Sequence, residues 1–409
     1  MNTPPTGPLS LAEAQRLILQ HVHPTIAELA PLSLAVGRIV SRTIQAPRPV
    51  PDFPRAAMDG FAVASRDLTT AKPESPCRLP VNGEIAAGTT DIRRLVRGEA
   101  RRIMTGGAIP PGADQVVPLE RCREEKGSIV IEQTGRPGLH IRARGTDCPR
   151  GRAIVTAGRT VCPEHLPLLA EGGVSQLPVF TRPRIGVLCT GSELVDVATI
   201  PEHGQIIGGN RFLLDGLIRQ SGGVPVDLGL VADRLDLTLA TLREQHDTDL
   251  QMLVTTGGMG PGKYDLMEQV LTELGARILY RTLRVRPGKA TIFALLGTTP
   301  LFAMPGPPPA VRTLFNELLR PAIRKAQGLR QPLPRPVRAT LTEPIILSRA
   351  GYLNLKGGVM ACRNGKMVVR PASRTEPVNA VILIPPHRRR LQAGETVATH
   401  PTINWGSME

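Results

Sequence analysis

The sequence predicts a multi-domain protein of the α/β plus β class, and three observations carry that prediction. With 409 residues the chain exceeds the size at which a single core usually stops growing, so about two to four domains are expected. From Arg184 onwards, strand-like and helix-like segments alternate, whereas glycine turns separate short apolar runs over residues 61–150. Strand-like runs alone follow the proline-rich linker at residues 331–336.

The N-terminal region combines one helix with extended chain. Ser10 followed by Glu13 fits a capping box, and an apolar stripe follows at helical spacing: Leu11, Ala14, Leu17 and Ile18. Residues 46–54 contain too many prolines for a regular helix. They lead into residues 61–150, which we expect to be mostly β.

The alternating region predicts a parallel sheet covered by helices. We place strands at residues 185–189, 224–231 and 251–256, and helices at residues 210–220 and 236–246. Asn210 is the expected N-cap of the first helix, and Gly222 is its expected C-terminal stop.

A glycine loop follows the strand at residues 251–256. It contains Gly257, Gly258 and Gly262 and leads to Asp265, where apolar residues at helical spacing begin. The strand at 185–189 similarly runs into Thr190-Gly191-Ser192-Glu193. Glycines let backbone approach a ligand, and the first turn of a helix attracts anions, so the two loops predict an anion site that also holds a cation. Asp265 with Glu268 is also a capping-box-like helix start, which needs no ligand.

The rest of the chain completes this domain and adds a small all-β one. Apolar runs near Ile278 and Ile292 precede a strand at residues 301–304, a turn at Pro305 and Gly306, and a helix that ends near Gln327. Strand-like runs at residues 367–370 and 381–384 indicate the final β domain.

Charge and composition narrow the class of partner. The net charge of +15 favours anionic partners, although a solvated basic surface explains it equally well. The composition disfavours nucleic acid as a partner, because aromatic residues make up 3% of the chain and none interleaves with the basic run at 387–390. The six cysteines are scattered, and His21 and His23 are not expected to bind metal. No segment resembles a membrane span or a signal peptide, so the expected location is the cytoplasm.

The ordered motifs resemble those of the MoeA family of molybdopterin molybdenumtransferases, to which the E domain of gephyrin is related. The resemblance spans nearly the whole chain. Its carriers are, in order, residues 57–63 (AMDGFAV), 103–110 (IMTGGAIP), 190–194 (TGSEL), 255–265 (TTGG to Asp265), 286–289 (RPGK) and 304–306 (MPG).

The resemblance implies an architecture of four domains and a homodimer. The four domains are a helical and extended linker domain (1–46 with 148–182), an inserted β domain (47–147), a MogA-like molybdopterin-binding α/β domain with a parallel sheet (183–328), and a C-terminal β-barrel (335–409). The resemblance also implies a molybdopterin adenylyltransferase as a partner.

The resemblance also implies an activity, which is insertion of molybdate into adenylylated molybdopterin with Mg²⁺ and release of AMP. Matched to the family motifs, the implied catalytic residues are Asp59, Thr105, Glu193 and Asp265. The implied metal ligands are Asp59, Glu193, Asp233 and Asp265. The pterin phosphate and molybdate would contact Gly257, Gly258, Gly262, Arg286, Lys289, Pro305, Gly306 and Ser373. Several of these residues also have a purely structural explanation, such as the turn preference of Asp59 before glycine or a charged turn at Arg286 and Lys289.

Two loops depart from the family pattern, and they keep an alternative function open. Gly260-Pro261-Gly262 lacks a serine usual in the family. Pro307-Pro308-Pro309-Ala310 lacks an amide, a hydroxyl and two backbone N–H donors. The alternative is therefore a catalytically altered paralogue that binds molybdopterin or regulates its metabolism. A nucleotide pyrophosphatase would need only the α/β segment, so the matching flanking regions disfavour it.

Overall fold

The protein is described by a computed structural model that covers residues 7–90, 92–245, 249–259, 266–373 and 375–402. The chain folds into two compact units. The large unit comprises residues 1–28 and 179–409, and the small unit comprises residues 29–178. Across the described ranges, no helix is long and apolar enough to cross a membrane.

Helix α1 (Leu11–Gln20) belongs to the large unit and begins at the predicted capping box. The Ser10 N–H donates to the Glu13 carboxylate at 2.8 Å, and the Glu13 N–H donates to Ser10 Oγ at 3.3 Å. Both bonds satisfy N–H groups that the first helical turn would otherwise leave unpaired. The apolar stripe of α1 then packs into the core of the large unit.

The small unit is mostly β, as its glycine-punctuated sequence predicts. Together with the strands at its two boundaries it contains β1 (Ala27–Pro31), β2 (Ile44–Gln45), β3 (Arg55–Ala56), β4 (Gly60–Val63), β5 (Cys77–Ile85), β6 (Ala100–Ile103), β7 (Gln115–Pro118), β8 (Arg123–Glu125), β9 (Ser128–Ile131), β10 (Ile141–Arg142), β11 (Ala153–Val155), helix α2 (His165–Glu171) and β12 (Gln176–Phe180). Six strands form one sheet in the order β7-β4-β6-β5-β9-β8. Apolar clusters cover both of its faces, one around Phe61 and the other around Ile103.

The large unit continues with the predicted alternation of strands and helices. Its α/β elements are β13 (Arg184–Thr190), β14 (Leu194–Val195), β15 (Ile206–Ile207), α3 (Gly209–Gln220), β16 (Val224–Val231), α4 (Leu235–Arg243), β17 (Met252–Thr256), α5 (Leu266–Glu273), β18 (Arg277–Thr282), β19 (Val285–Arg286), β20 (Ala290–Leu296), β21 (Thr299–Met304), α6 (Pro308–Leu314), a π-helical turn (Phe315–Leu319) and α7 (Arg320–Ala326). The long helical stretch ends at Ala326 with Gln327 as its C-cap, in agreement with the predicted end near Gln327.

The central sheet has the strand order β16-β13-β17-β21-β20-β18. The predicted parallel pairing is confirmed for its first four strands. β20 and β18 add an antiparallel edge, because β20 and β21 are joined by a two-residue turn that cannot make a parallel crossover. Apolar clusters cover both faces of the sheet.

One predicted helix cap is wrong and one helix stop is confirmed. Helix α3 begins at Gly209 with Gly208 as its N-cap, so Asn210 is not the N-cap. The Asn210 amide instead donates to the carbonyl of Gly306 at 2.6 Å, a partner 96 residues away that local sequence does not reveal. Gly222 follows the helix with φ of +84°, the left-handed conformation that stops helices and suits glycine.

The C-terminal region is a closed barrel. Its strands are β22 (Val337–Leu341), β23 (Ile345–Ile346), β24 (Leu353–Arg363), β25 (Lys366–Pro371), β26 (Ala380–Ile384), β27 (Arg390–Leu391) and β28 (Thr396–Pro401). Five of them pair in the order β24-β25-β22-β28-β26, and β26 pairs back with β24. Closure leaves these strands with no unpaired sheet edge, and an apolar cluster fills the interior.

Candidate functional site

Three loops of the large unit converge at the carboxyl edge of the parallel strands. Gly257 follows β17 with φ of +96°, and a Cβ there would lie 1.9 Å from the Thr190 carbonyl oxygen at the end of β13. The Gly257 N–H donates to the Met304 carbonyl at the end of β21 at 3.1 Å. A Cβ on Gly306 would lie 3.9 Å from the Gly257 Cα. The structure thus brings Gly257, Gly258, Pro305 and Gly306 together where open α/β sheets bind ligands.

Polar side chains surround this glycine-rich edge. Asn210 donates to the Gly306 carbonyl, while its Oδ1 atom is buried without a hydrogen-bond partner among the described residues. Ser192 Oγ accepts the Asp233 N–H at 3.1 Å, which joins the loops after β13 and β16. The exposed Glu193 carboxylate lies 2.9 Å from the position of a Cβ on Gly191. Glu193 and Asp233 therefore lie on joined, adjacent loops of one sheet edge.

Two predicted residues of the glycine loop, Gly262 and Asp265, lie outside the described residues. The described part of the loop leads to α5, whose Met267 N–H donates to the Gly258 carbonyl at 3.4 Å. Glu268 on the first turn of α5 forms an ion pair with Arg281. Glu268 thus pairs with a residue of β18, a contact that differs from the helix-capping role expected from the sequence.

Arg286 and Lys289 line a second feature of the large unit, a cleft of about 460 Å³. The Arg286 guanidinium lies over the Tyr352 ring, 4.9 Å from its centroid, which orients this cation. Gly288 between them has φ of +105°, and a Cβ there would lie 2.5 Å from Leu314. Close packing at glycine therefore holds the loop against α6.

The electrostatic character of this cationic cleft follows from its lining. Of the described residues that line it, Arg286, Lys289 and Lys356 are cationic and none is a carboxylate. Asn354 adds a side-chain amide. Such a concentration of positive charge without internal neutralisation attracts anions.

Ser373 lies close to Lys356 along the barrel. The Ala372 N–H donates to the Gly357 carbonyl at 3.0 Å, so the residue before Ser373 is bonded to the residue after Lys356. The Ser373 N–H donates to the Glu376 carboxylate at 2.8 Å. Arg370 and Ser373 lower the pKa of Glu376 to about 2, so this carboxylate stays ionised beside the predicted serine.

Asp59 and Thr105 lie in the small unit and contact each other directly. Both the backbone N–H and the hydroxyl of Thr105 donate to Asp59 Oδ1 at 2.7 Å. These two bonds hold the pKa of Asp59 below its ordinary value of 3.8. Gly60, the residue after Asp59, packs closely against the backbone of β7. A Cβ at this position would lie 2.1 Å from the Val117 carbonyl oxygen, so only glycine allows the close packing that holds Asp59 in place. The structure therefore joins two predicted catalytic residues that are 46 positions apart.

The predicted metal ligands do not form a complete cage in the described part of the chain. No group of three or more histidine, cysteine, aspartate or glutamate side chains is close enough there to hold a metal ion. Asp59 belongs to the small unit, and Glu193 and Asp233 belong to the sheet edge of the large unit.

Sequence reasoning missed several residues of these features. Lys356 and Asn354 line the cationic cleft but belong to no recognisable local motif. In the sequence, the alternation of polar and apolar residues around them indicates only a strand with one polar face. Ser192 lies inside the quoted Thr-Gly-Ser-Glu motif, so its hydroxyl could have been named from the sequence.

Comparisons with known proteins cover nearly the whole chain. Residues 9–173 match the family described as the MoeA N-terminal region (domain I and II), and residues 186–325 match a "Probable molybdopterin binding domain". Molybdopterin molybdenumtransferase 2 of Mycobacterium tuberculosis is 30% identical over 88% of this chain and 89% of its own length. The molybdopterin molybdenumtransferase of Haemophilus influenzae is 30% identical over 96% of this chain and 98% of its own length.

Solved structures show the same similarity in three dimensions. Two crystal structures of a molybdopterin biosynthesis MoeA protein from Pyrococcus horikoshii superpose with TM-scores of 0.82 and 0.81. They are 27% and 25% identical to this chain, cover 98% and 97% of it, and are themselves covered completely.

Proposed function

Because the chain belongs to the MoeA family of molybdopterin molybdenumtransferases, we propose that it inserts molybdate into adenylylated molybdopterin, with release of AMP, in molybdenum cofactor biosynthesis. The cationic cleft is the observation that carries this function. Molybdate and the pterin phosphate are both anions, and a site for them needs cations and N–H donors that no internal carboxylate neutralises. Arg286, Lys289 and Lys356 meet that requirement.

In this proposal, the glycine-rich sheet edge and the cationic cleft of the large unit each bind part of the substrate. The sheet edge at Gly257, Gly258 and Gly306 lets a phosphate approach the backbone, and Pro305 and Gly262 belong to the same loops. Arg286, Lys289 and Ser373 contact the molybdate or the substrate phosphates. The glycines and cations thus fix the substrate, so that the phosphoanhydride is held for cleavage.

The carboxylates are proposed to act on the phosphoanhydride and to hold Mg²⁺. Mg²⁺ takes oxygen ligands and is usually held by one or two carboxylates together with substrate phosphates. Glu193 and Asp233 fit that description, since they are exposed carboxylates on loops joined through Ser192. Asp265 and Asp59 are the further proposed ligands. When bound, Mg²⁺ would neutralise charge on the phosphate oxygens.

Asp59, Glu193 and Asp265 are also the proposed catalytic carboxylates, with Thr105 as a positioning residue for Asp59. The two hydrogen bonds from Thr105 keep Asp59 ionised and leave its second oxygen, Oδ2, for a ligand. An ionised carboxylate at a fixed position can accept a proton or bind a cation.

We further infer a cytoplasmic homodimer whose active site is shared between protomers, and a molybdopterin adenylyltransferase as the supplier of substrate. Mixing inactive Asp59→Ala and Glu193→Ala proteins tests the shared site. Hybrid dimers with one intact site should restore about a quarter of the wild-type rate. One variant carries an affinity tag, so that native mass spectrometry detects hybrid dimers. A mixture that contains hybrid dimers and stays inactive contradicts a shared site.

Turnover is the decisive test of the function. Purified protein with adenylylated molybdopterin, molybdate and Mg²⁺ should release AMP and form molybdenum cofactor. Asp59→Ala should abolish this, whereas Glu74→Ala, which removes an exposed carboxylate elsewhere in the small unit, should not. Pterin binding without AMP release, under conditions in which a relative turns over, would instead identify the altered paralogue.

A further inference from the structure

The Tyr352 ring contacts one of the cations of the cationic cleft. The carbon at the centre of the Arg286 guanidinium lies 4.9 Å from the centroid of this ring. Arg286 belongs to β19 and Tyr352 directly precedes β24, and these two strands pair in parallel with Arg286 beside Asn354. The Asn354 amide donates to the Tyr352 carbonyl at 3.0 Å, which fixes the backbone that carries the ring. Neighbouring chain segments therefore hold the ring and the guanidinium against each other.

The contact with the ring restrains Arg286 without using its hydrogen-bonding capacity. A cation–π attraction needs no oxygen acceptor, so it does not pair the guanidinium with a carboxylate. Within the described ranges, no residue forms an ion pair or a hydrogen bond with the Arg286 side chain. Its N–H donors thus remain for a ligand in the cleft that Arg286 lines.

This lack of a carboxylate partner distinguishes Arg286 from the other arginines that lie over aromatic rings in the described parts of the chain. Each of those forms at least one ion pair: Arg211 over Phe212 pairs with Asp196 and Asp227, and Arg102 over Phe61 pairs with Glu124. Their guanidinium groups are neutralised within the protein, whereas Arg286 is oriented and left with its full charge.

An oriented and uncompensated guanidinium is well suited to bind an anion. Its planar fork of donors matches the oxygens of tetrahedral oxyanions. Because the ring already restrains the side chain, less conformational freedom is lost when the anion binds.

We propose that Tyr352 is a positioning residue for the binding of a tetrahedral oxyanion in the cationic cleft, and that it acts through Arg286. Tyr352 sets the affinity by holding the guanidinium ready for the anion. The natural ligand is then the molybdate or phosphate of the reaction, and for that identity the proposal rests on the proposed function.

A double-mutant cycle with inorganic anions tests whether Tyr352 acts through Arg286. Molybdate and phosphate are titrated calorimetrically into the wild type, Tyr352→Leu, Tyr352→Phe, Arg286→Met and the Tyr352→Leu, Arg286→Met double variant. Tyr352→Leu should weaken binding about threefold, as expected for the loss of a cation–π contact near the surface. Tyr352→Phe keeps the ring and should bind as the wild type does. With Arg286→Met already present, Tyr352→Leu should have no further effect.

The matched control is Phe212→Leu, which removes the ring beneath the ion-paired Arg211. This variant should leave anion binding unchanged. NMR provides a measurement that needs no ligand, because the ring current of Tyr352 displaces the resonance of the Arg286 Nε–H group. Arg286→Met identifies that resonance, which should move in Tyr352→Leu and stay in place in Tyr352→Phe.

Several results would overturn the proposal. Tyr352→Leu could bind both anions as tightly as the wild type does, or weaken binding equally with and without Arg286, which would indicate a general structural role. Tyr352→Phe could weaken binding as much as Tyr352→Leu does, which would assign the effect to the hydroxyl. A wild type that binds neither anion also overturns it. Absence of AMP release, with the expected binding results, would count against the proposed function alone.

Discussion

Nδ1 of His400 lies 2.8 Å from Oε2 of Glu317, a carboxylate with no exposed surface. The second carboxylate oxygen accepts a hydrogen bond from Asn316 at 2.9 Å. Arg320 donates to Asn316 and to the Thr402 carbonyl. Glu317 lies in the π-helical turn after α6, whereas His400 and Thr402 belong to the final barrel strand and its end. A buried polar network therefore joins the α/β domain to the barrel within the large unit.

Removal of Glu317 should destabilise the large unit strongly. Glu317→Ala would leave His400 without its acceptor and Asn316 without one of its partners, and a broken buried pair typically costs about 3–5 kcal/mol. Glu317→Gln should cost less, since it keeps the shape and one acceptor. Urea unfolding followed by circular dichroism measures the difference. Asp215→Ala, which breaks an exposed ion pair with Arg219, should cost about 0.5 kcal/mol or less. Equal losses for the two alanine variants would contradict a stabilising role for the network.

Substitution by alanine should have opposite effects on the protein at two glycines of the large unit. Gly257→Ala places a Cβ 1.9 Å from the Thr190 carbonyl oxygen at a φ of +96°, so the sheet edge must shift and pterin binding should be lost. Gly216→Ala lies inside α3 with no heavy atom within 4 Å of the new Cβ, and should stabilise the protein by about 0.5–1 kcal/mol. Thermal melts and binding of molybdopterin check both. Normal ligand binding by Gly257→Ala would show that the close approach of these loops is dispensable.

The titration of Asp59 should depend on Thr105. Two hydrogen bonds to Oδ1 favour the ionised carboxylate, so its NMR titration midpoint should lie below 3.8. Because the folded pKa is depressed, the associated stability is present above pH 3.8 and is lost as the pH falls through the folded value. Thr105→Val removes the hydroxyl bond and should raise the midpoint, and Thr105→Ser should restore it. Identical midpoints in the wild type and the valine variant would rule out the hydroxyl as a cause.

Local periodicity explains which parts of the fold could be predicted. Strands β13, β16 and β17 and helices α3 and α5 lie within a few residues of their predicted positions, because each is a run of apolar residues at one spacing. The antiparallel edge strands were not predicted, because strand direction depends on the connection between β20 and β21. The cap at Asn210 was wrong for a similar reason, since its amide partner is distant in sequence.

The candidate site likewise has residues that local sequence predicts and contacts that depend on the tertiary structure. Glycine and charge motifs located the residues of single loops, such as Gly257 and Arg286. The pairing of Asp59 with Thr105 depends on the register of β4 against β6, in which Gly60 lies opposite Ile103. A sequence without an alignment carries no trace of that register. Lys356 was missed because the pairing of β19 with β24, which puts Asn354 beside Arg286, joins segments that are distant in sequence.

The cationic cleft should bind oxyanions through its individual lysines. Lys289 and Lys356 line the same cleft from different elements, and both are exposed, so each can contact an anion without a change in the loop or strand that carries it. Loss of one charge-assisted contact costs about 1.5–3 kcal/mol, which corresponds to a weakening of binding by about tenfold or more. Lys289→Met and Lys356→Met should therefore each weaken molybdate binding, while their folding stability stays near that of the wild type.

Calorimetric titration of molybdate at two ionic strengths separates a contact in the cleft from a general effect of charge. Lys366→Met removes an exposed lysine at the β24–β25 turn and changes the net charge by the same amount. At 0.1 M salt, attraction between exposed charges more than about 10 Å apart is largely screened. A small effect of Lys366→Met on binding at low salt should therefore vanish at higher salt. The effects of Lys289→Met and Lys356→Met should persist, because a direct hydrogen bond in a cleft is less screened. If all three variants lose affinity equally, and only at low salt, then binding reflects the basic surface as a whole and the cleft is not the site.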